Sequence, residues 1–108
     1  FRSLVIRGVN VFPTQIEEVL LKIEEIGPHY EILVERKNRL DVMTITVELI
    51  DDRLLDSYAK LSELEKRIKS ALKSQLGLAT QIRLVAPNSL RRFEGKAKRV
   101  TDLRKDGL

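Results

Sequence analysis

The period of the apolar residues changes repeatedly along this chain, and that alternation limits the folds open to it. From Pro13, the side chains Ile16, Val19, Leu20, Ile23 and Ile26 follow i, i+3, i+4, i+7, i+10, one face of a helix. Pro13 suits a helix entrance, Thr14 with Glu17 has capping-box spacing, and Gly27-Pro28 predicts its end. Tyr30, Ile32 and Val34 then alternate, as do Met43, Ile45, Val47 and Leu49 with Thr44, Thr46 and Glu48 between them. That is the period of half-buried strands, joined by a polar turn at Lys37 to Arg39. Helical spacing returns with Tyr58, Leu61, Leu64, Ile68, Leu72 and Leu76, ended by Gly77. Ile82 and Leu84 predict a last strand over 80–85.

Before Pro13, a short strand and hairpin over 4–12 turn near Arg7-Gly8. The resulting order, β-α-β-β-α-β, predicts an α+β fold, ferredoxin-like in outline, with both helices on one face of a small antiparallel or mixed sheet. Residues past Pro87 lack apolar periodicity and are expected to lie outside that core as a basic C-terminal extension. With 108 residues the chain is expected to form one domain, comprising hairpin 4–12, core 13–86, and loop and tail 87–108. A first residue of Phe fits a piece of a longer polypeptide.

Composition narrows the chemistry. No Cys excludes thiol catalysis, zinc ribbons and iron–sulfur clusters, and the lone His29 makes no multi-histidine metal site, so no metal site is expected. Asp51-Asp52 reads as a loop before a helix, and His29 as a structural residue at a strand entrance. No apolar run nears the roughly 18–20 residues that cross a bilayer, so no membrane partner and a cytoplasmic location are expected. Residues 1–82 carry twelve Lys/Arg against thirteen Asp/Glu, whereas 83–105 carry eight against two. The positive potential therefore gathers late, where it suits a phosphate-bearing ligand, a nucleic acid or an acidic surface, or forms a solvated tail.

Two segments are poorly explained by packing. They are Ile6-Arg7-Gly8-Val9-Asn10-Val11-Phe12-Pro13 and Phe93-Glu94-Gly95-Lys96-Ala97-Lys98-Arg99-Val100. The first, continuing Thr14-Gln15-Ile16-Glu17, resembles the C-terminal lid domain of the phenylacetate-coenzyme A ligases, within the adenylate-forming enzymes. Pro28-His29-Tyr30, Ser89, Arg92, Glu94-Gly95-Lys96-Ala97, Arg99-Val100 and Asp102-Leu103-Arg104 extend the likeness over nearly the whole chain.

The resemblance implies a two-step reaction, in which an aryl acid and MgATP give acyl-adenylate and pyrophosphate, and coenzyme A then displaces AMP. It implies a partner, the N-terminal adenylation domain of the same polypeptide, without which this piece does not turn over. It further implies that Lys96 is catalytic in the first step, on a loop with Glu94 and Gly95. It also implies that the hairpin of Arg7, Gly8 and Val9 lines the coenzyme A channel in the second. A compact ammonium suits the meeting of a carboxylate with an α-phosphate, because it screens both anions as they approach. Read without the resemblance, Lys96 is one more lysine of a basic tail and Gly8 an ordinary turn residue. Two features depart from the family pattern: Phe1-Arg2 stand where an aspartate pair forms the hinge, and Arg91-Arg92-Phe93 where Pro-Arg-Ser is common. Two other classes share the outline, an RNA-binding domain and a small-molecule regulatory domain. The first stacks bases on aromatic residues of central strands, and none occurs in 43–49 or 80–85.

Overall fold

A computed structural model describes residues 3–92 and 99–104 of the chain. Its elements run β1 (Leu4–Ile6), β2 (Val9–Val11), α1 (Pro13–Leu20), β3 (Ile26–Lys37), β4 (Leu40–Leu49), a single-turn 3-10 helix (Arg53–Asp56), α2 (Tyr58–Leu76), β5 (Gln81–Val85) and β6 (Val100–Asp102). The order across the main sheet is β5-β4-β3-β6. The central β3 and β4 are antiparallel, and their two-residue turn places Asn38 and Arg39 at φ 52° and 68°, the left-handed pair that matches strand twist. β5 runs parallel to β4 and β6 parallel to β3, so the sheet is mixed.

The period-two pattern decides which face is covered. Tyr30, Ile32 and Val34 pair with Val47, Ile45 and Met43 on one face, all buried in a single cluster with Ile16 and Leu20 of α1 and Leu64, Ile68 and Leu72 of α2. Both helices therefore lie on that face, as expected for the α+β class. Each fully buried side chain of this kind contributes about 1.5–3 kcal/mol. Glu31, Leu33, Glu35, Thr44, Thr46 and Glu48 occupy the opposite face. No helix among the described residues is long and apolar enough to cross a membrane.

Several boundaries differ from the sequence reading. α1 ends at Leu20, where the N–H groups of Lys22 and Ile23 bond three residues back, to Val19 and Leu20, and tighten the chain into a turn. Ile26 instead begins β3, buried against Leu49, and Gly27-Pro28 sits in an irregularity of that strand rather than ending a helix. A bulge tolerates Pro28 because the unpaired position asks no N–H of it. Thr14 and Glu17 do not make the helix cap. The Gln15 side chain accepts from the Phe12 N–H at 2.9 Å, and Glu17 turns to Tyr30. Tyr58, expected on the α2 stripe, is 86% exposed at the first residue of that helix. Gly77 does end α2, in the left-handed region at φ 80°.

The largest correction concerns strand membership. β1 and β2 form a separate two-stranded ribbon, with Ile6 and Val11 packed into the core. The edge position beside β3 is taken by β6, from the segment expected to lie outside. Ile32, Leu33 and Val34 pair with Val100, Thr101 and Asp102, and the Leu103 N–H continues the ladder to the Val34 carbonyl at 2.8 Å. A three-residue edge strand with one apolar side chain shows no periodicity, since main-chain bonding supplies what side-chain burial does not.

Candidate functional site

At the hairpin the two-residue turn is Arg7-Gly8, closed by the pair Ile6–Val9, with φ 50° and 79°. Both values are left-handed, which explains a glycine at the second position. A Cβ placed on Gly8 meets no atom of the described residues beyond its chain neighbours within 4 Å, so this side of the turn is open among them. Val9 is half-buried against the core, while Arg7 is exposed. The turn is tied to the start of β4: the Arg7 Nε donates to the Asp41 carbonyl at 2.9 Å, and its main-chain N–H reaches the Asp41 carboxylate at 3.5 Å.

Asp41 anchors a wider network. It accepts from Arg36 at 3.0 Å and from Arg104 at 2.9 Å. Arg104, only 8% exposed, also donates to Asp102 at 2.7 Å and to the Val5 carbonyl of the hairpin at 2.5 Å. Burial acts to raise the Asp41 carboxyl, but hydrogen bonds from Arg36 and Arg104 outweigh it and hold the group below the usual carboxylate range. The last basic residues are thus not all a solvated tail, because Arg104 joins hairpin, β4 and β6. A cleft of about 480 Å³ opens beside this network, lined by Arg7, Arg36, Arg39, Leu40 and Asp41.

The opposite end of β4 carries a second carboxylate. Glu48 is 3% exposed and accepts from the Asn88 N–H at 3.0 Å, the Leu90 N–H at 2.9 Å, and Arg92 at 2.6 and 3.2 Å. The Arg92 hydrogen bonds are the main cause that pulls its pKa from 4.5 to about 2, against the opposing effect of burial. Arg92 also bonds the Leu90 carbonyl and the Asn88 side chain, and Asn88 adopts φ 64°. Residues 88–92 are therefore held as a folded turn over the polar face of the sheet.

Glu94, Gly95 and Lys96 lie outside the described residues, but both flanks of their segment are placed. Arg99, on the far side, stacks its guanidinium over the Tyr30 ring at 4.8 Å and lies 3.8 Å from Glu17, whose carboxylate accepts from the Tyr30 hydroxyl at 2.8 Å. Burial, followed by the bond to Glu17, pushes the Tyr30 hydroxyl pKa up. Because Tyr30 pairs with Val47, both flanks sit at the Glu48 end of the sheet. The Arg7-Gly8 turn sits at the Asp41 end. The structure thus sets the hairpin turn at one end of β4 and the described flanks of residues 93–98 at the other.

His29 lies within the β3 irregularity, and Asp51 pairs with Arg53 at 3.0 Å at the start of the 3-10 turn. No three His, Asp or Glu side chains converge as metal ligands among the described residues. Sequence reasoning missed Asp41 and Glu48. Glu48 stood only as a polar member of an alternating strand, and nothing local reveals that a segment forty residues later covers it.

Comparison with known proteins places the chain. A family model described as the AMP-binding enzyme C-terminal domain matches residues 8–104. The chain belongs to that family. It is 41% identical over 101 residues to a phenylacetate-coenzyme A ligase of Escherichia coli (strain K12), covering 94% of this chain and 23% of that protein. With a phenylacetate-coenzyme A ligase of Pseudomonas putida the identity is 46% over 105 residues, again 94% and 23%. The chain spans about a quarter of such relatives. A solved domain of phenylacetate-coenzyme A ligase from Bacteroides vulgatus ATCC 8482 superposes with TM-score 0.86 at 36% identity, covering 96% of this chain and 94% of that one. A 2-hydroxyisobutyryl-CoA ligase, solved with 2-HIB-AMP and CoA in its thioesterification state, gives TM-score 0.83 at 29% identity over 93% of this chain and 21% of that one. In this AMP-binding C-terminal domain the matched range includes both Gly8 and Lys96.

Proposed function

We propose that this chain is the C-terminal lid, a single domain over its whole length, of a cytoplasmic phenylacetate-coenzyme A ligase or a close relative. In the first half-reaction an oxygen of the aryl acid's carboxylate attacks the α-phosphorus of MgATP and expels pyrophosphate, leaving an acyl-adenylate. In the second, the thiolate of coenzyme A attacks the acyl carbon and AMP departs. Lys96 serves the first by screening carboxylate and phosphate as their charges converge, with Glu94 and Gly95 forming its loop. The Arg7-Gly8-Val9 hairpin serves the second, with Gly8 lining the path of the thiol. The adenine and acid pockets belong to the N-terminal domain of the same polypeptide.

The observation that carries this reading is the family likeness over residues 8–104, a range that takes in Gly8 of the hairpin and the Gly95-Lys96 segment. The placement of the hairpin and the flanks of that segment at opposite ends of the sheet agrees with two steps served by two different faces. An RNA-binding role is not favoured: the sheet face opposite the helices carries Glu31 and Glu35, has Glu48 covered by the 88–92 turn, and shows no aromatic ring among the described residues.

The test is Lys96→Ala in the full-length polypeptide, with each half-reaction measured separately. Adenylate formation, followed as pyrophosphate release, is expected to fall by about 100-fold or more. Thioester formation from supplied acyl-adenylate and coenzyme A is expected to stay within about twofold. Equal loss in both, or loss in neither, overturns the assignment.

A further inference from the structure

Two carboxylates on β4, Asp41 and Glu48, each engage an arginine, and the bonds around each pair end on main-chain atoms of a different functional segment. At one end, Arg104 bridges Asp41 to the Val5 carbonyl, and Asp41 takes the Arg7 N–H, so the hairpin backbone is held in β1 and at the first residue of its turn. At the other, Glu48 takes the N–H groups of Asn88 and Leu90 as well as the guanidinium of Arg92, the last described residue before 93. Seven residue-to-residue steps of extended strand separate the two, a span of about 23 Å. Odd-numbered positions of β4 pack beneath the helices and even-numbered ones face the other way, so Asp41 and Glu48 belong to opposite faces.

A buried ion pair is weak support for stability, since desolvation cancels much of the attraction. Its geometric specificity is greater, because a bidentate guanidinium and two directed N–H bonds leave one arrangement of the chain. Both clamps are spent on the backbone next to a functional segment, not on joining the helices to the sheet. The helices are held by the apolar cluster instead.

We propose that these clamps are two independent positioning devices: Glu48 with Arg92 fixes the turn over 88–92, from which the chain leads on toward Lys96, and serves adenylate formation, while Asp41 with Arg104 sets the Arg7-Gly8 turn and serves thioester formation. This rests on the function proposed above. Neither clamp touches substrate; each acts through the backbone it holds. Misplacing a reacting group by about 1 Å costs up to about 100-fold in rate.

The experiment uses the full-length polypeptide at saturating substrates, below the unfolding temperature of every variant. Glu48→Gln and Arg92→Met are expected to slow adenylate formation tenfold or more and leave thioester formation from supplied acyl-adenylate within about twofold. Arg92 is 42% exposed, so its replacement keeps the readout if the Glu48 variant fails to fold. Asp41→Asn and Arg104→Met are expected to do the reverse, with Arg104→Lys restoring part of the thioester rate because it keeps the charge but not the fork. Parallel loss of both half-reactions in each variant, or loss in neither, overturns the proposal. Lys96→Ala run alongside separates the two failures. If it blocks adenylation while Glu48→Gln and Arg92→Met do not, the clamp is wrong and the function stands; if it spares adenylation, the functional reading itself fails.

Discussion

Glu48→Gln is a measurable test of the electrostatics of this fold. The carboxylate is 3% exposed and receives two N–H groups and both terminal nitrogens of Arg92. Its pKa falls from 4.5 to about 2 in the folded chain. A folded-state pKa below the unfolded value means that the stabilisation is complete above about pH 5 and is lost as pH falls toward 2. The contribution is about 3 kcal/mol at pH 7, falls to about 1 kcal/mol at pH 3 and is nearly gone at pH 2. Glutamine fills the same space but does not titrate, and its amide group confronts donors with another donor. In urea unfolding of the chain, the gap between wild type and variant is expected to be about 3 kcal/mol at pH 7 and to narrow by about 2 kcal/mol at pH 3. Asp41 and Asp102 are also held below their ordinary values by their arginines. They give both proteins a common acid sensitivity that cancels in the difference. A gap that stays constant between pH 7 and pH 3 refutes the reasoning.

Other substitutions probe the packing. Ile68, fully buried on α2, is expected to cost about 2–5 kcal/mol as alanine, read from denaturant midpoints. Tyr58→Ser on the same helix is expected to change stability by less than about 0.5 kcal/mol, since the ring is 86% exposed; a larger loss would return it to the core. Gly77→Ala is expected to cost about 1 kcal/mol from the left-handed backbone, because a Cβ there meets nothing within 4 Å among the described residues beyond its chain neighbours.

Much of the fold was legible from residue spacing. The alternation of Tyr30 to Val34 and of Met43 to Leu49 reports burial on one side of a strand, and it does so residue by residue. The stripe from Leu64 to Leu76 is equally local, and Gly77 marks its end because φ 80° is costly to most other residues. Ile23 and Ile26 misled for a related reason: they continue a helical spacing by chance of position, but the turn after Leu20 and the pairing of Ile26 with Leu49 win over it.

The site divides in the same way. The chemical character of the candidates, a glycine turn beside an arginine and a lysine after a glycine, is written in neighbouring residues, and so is the likeness that links them to a family. The β6 pairing, the separation of the hairpin from the flanks of residues 93–98, the half-burial of Asp41 and the burial of Glu48 by chain that arrives much later are tertiary facts. Periodicity records only how a side chain is partitioned between water and interior by its own element. A charge that becomes buried through partners forty to sixty residues away leaves no trace in that local pattern, and only the folded chain brings its counter-ion to it.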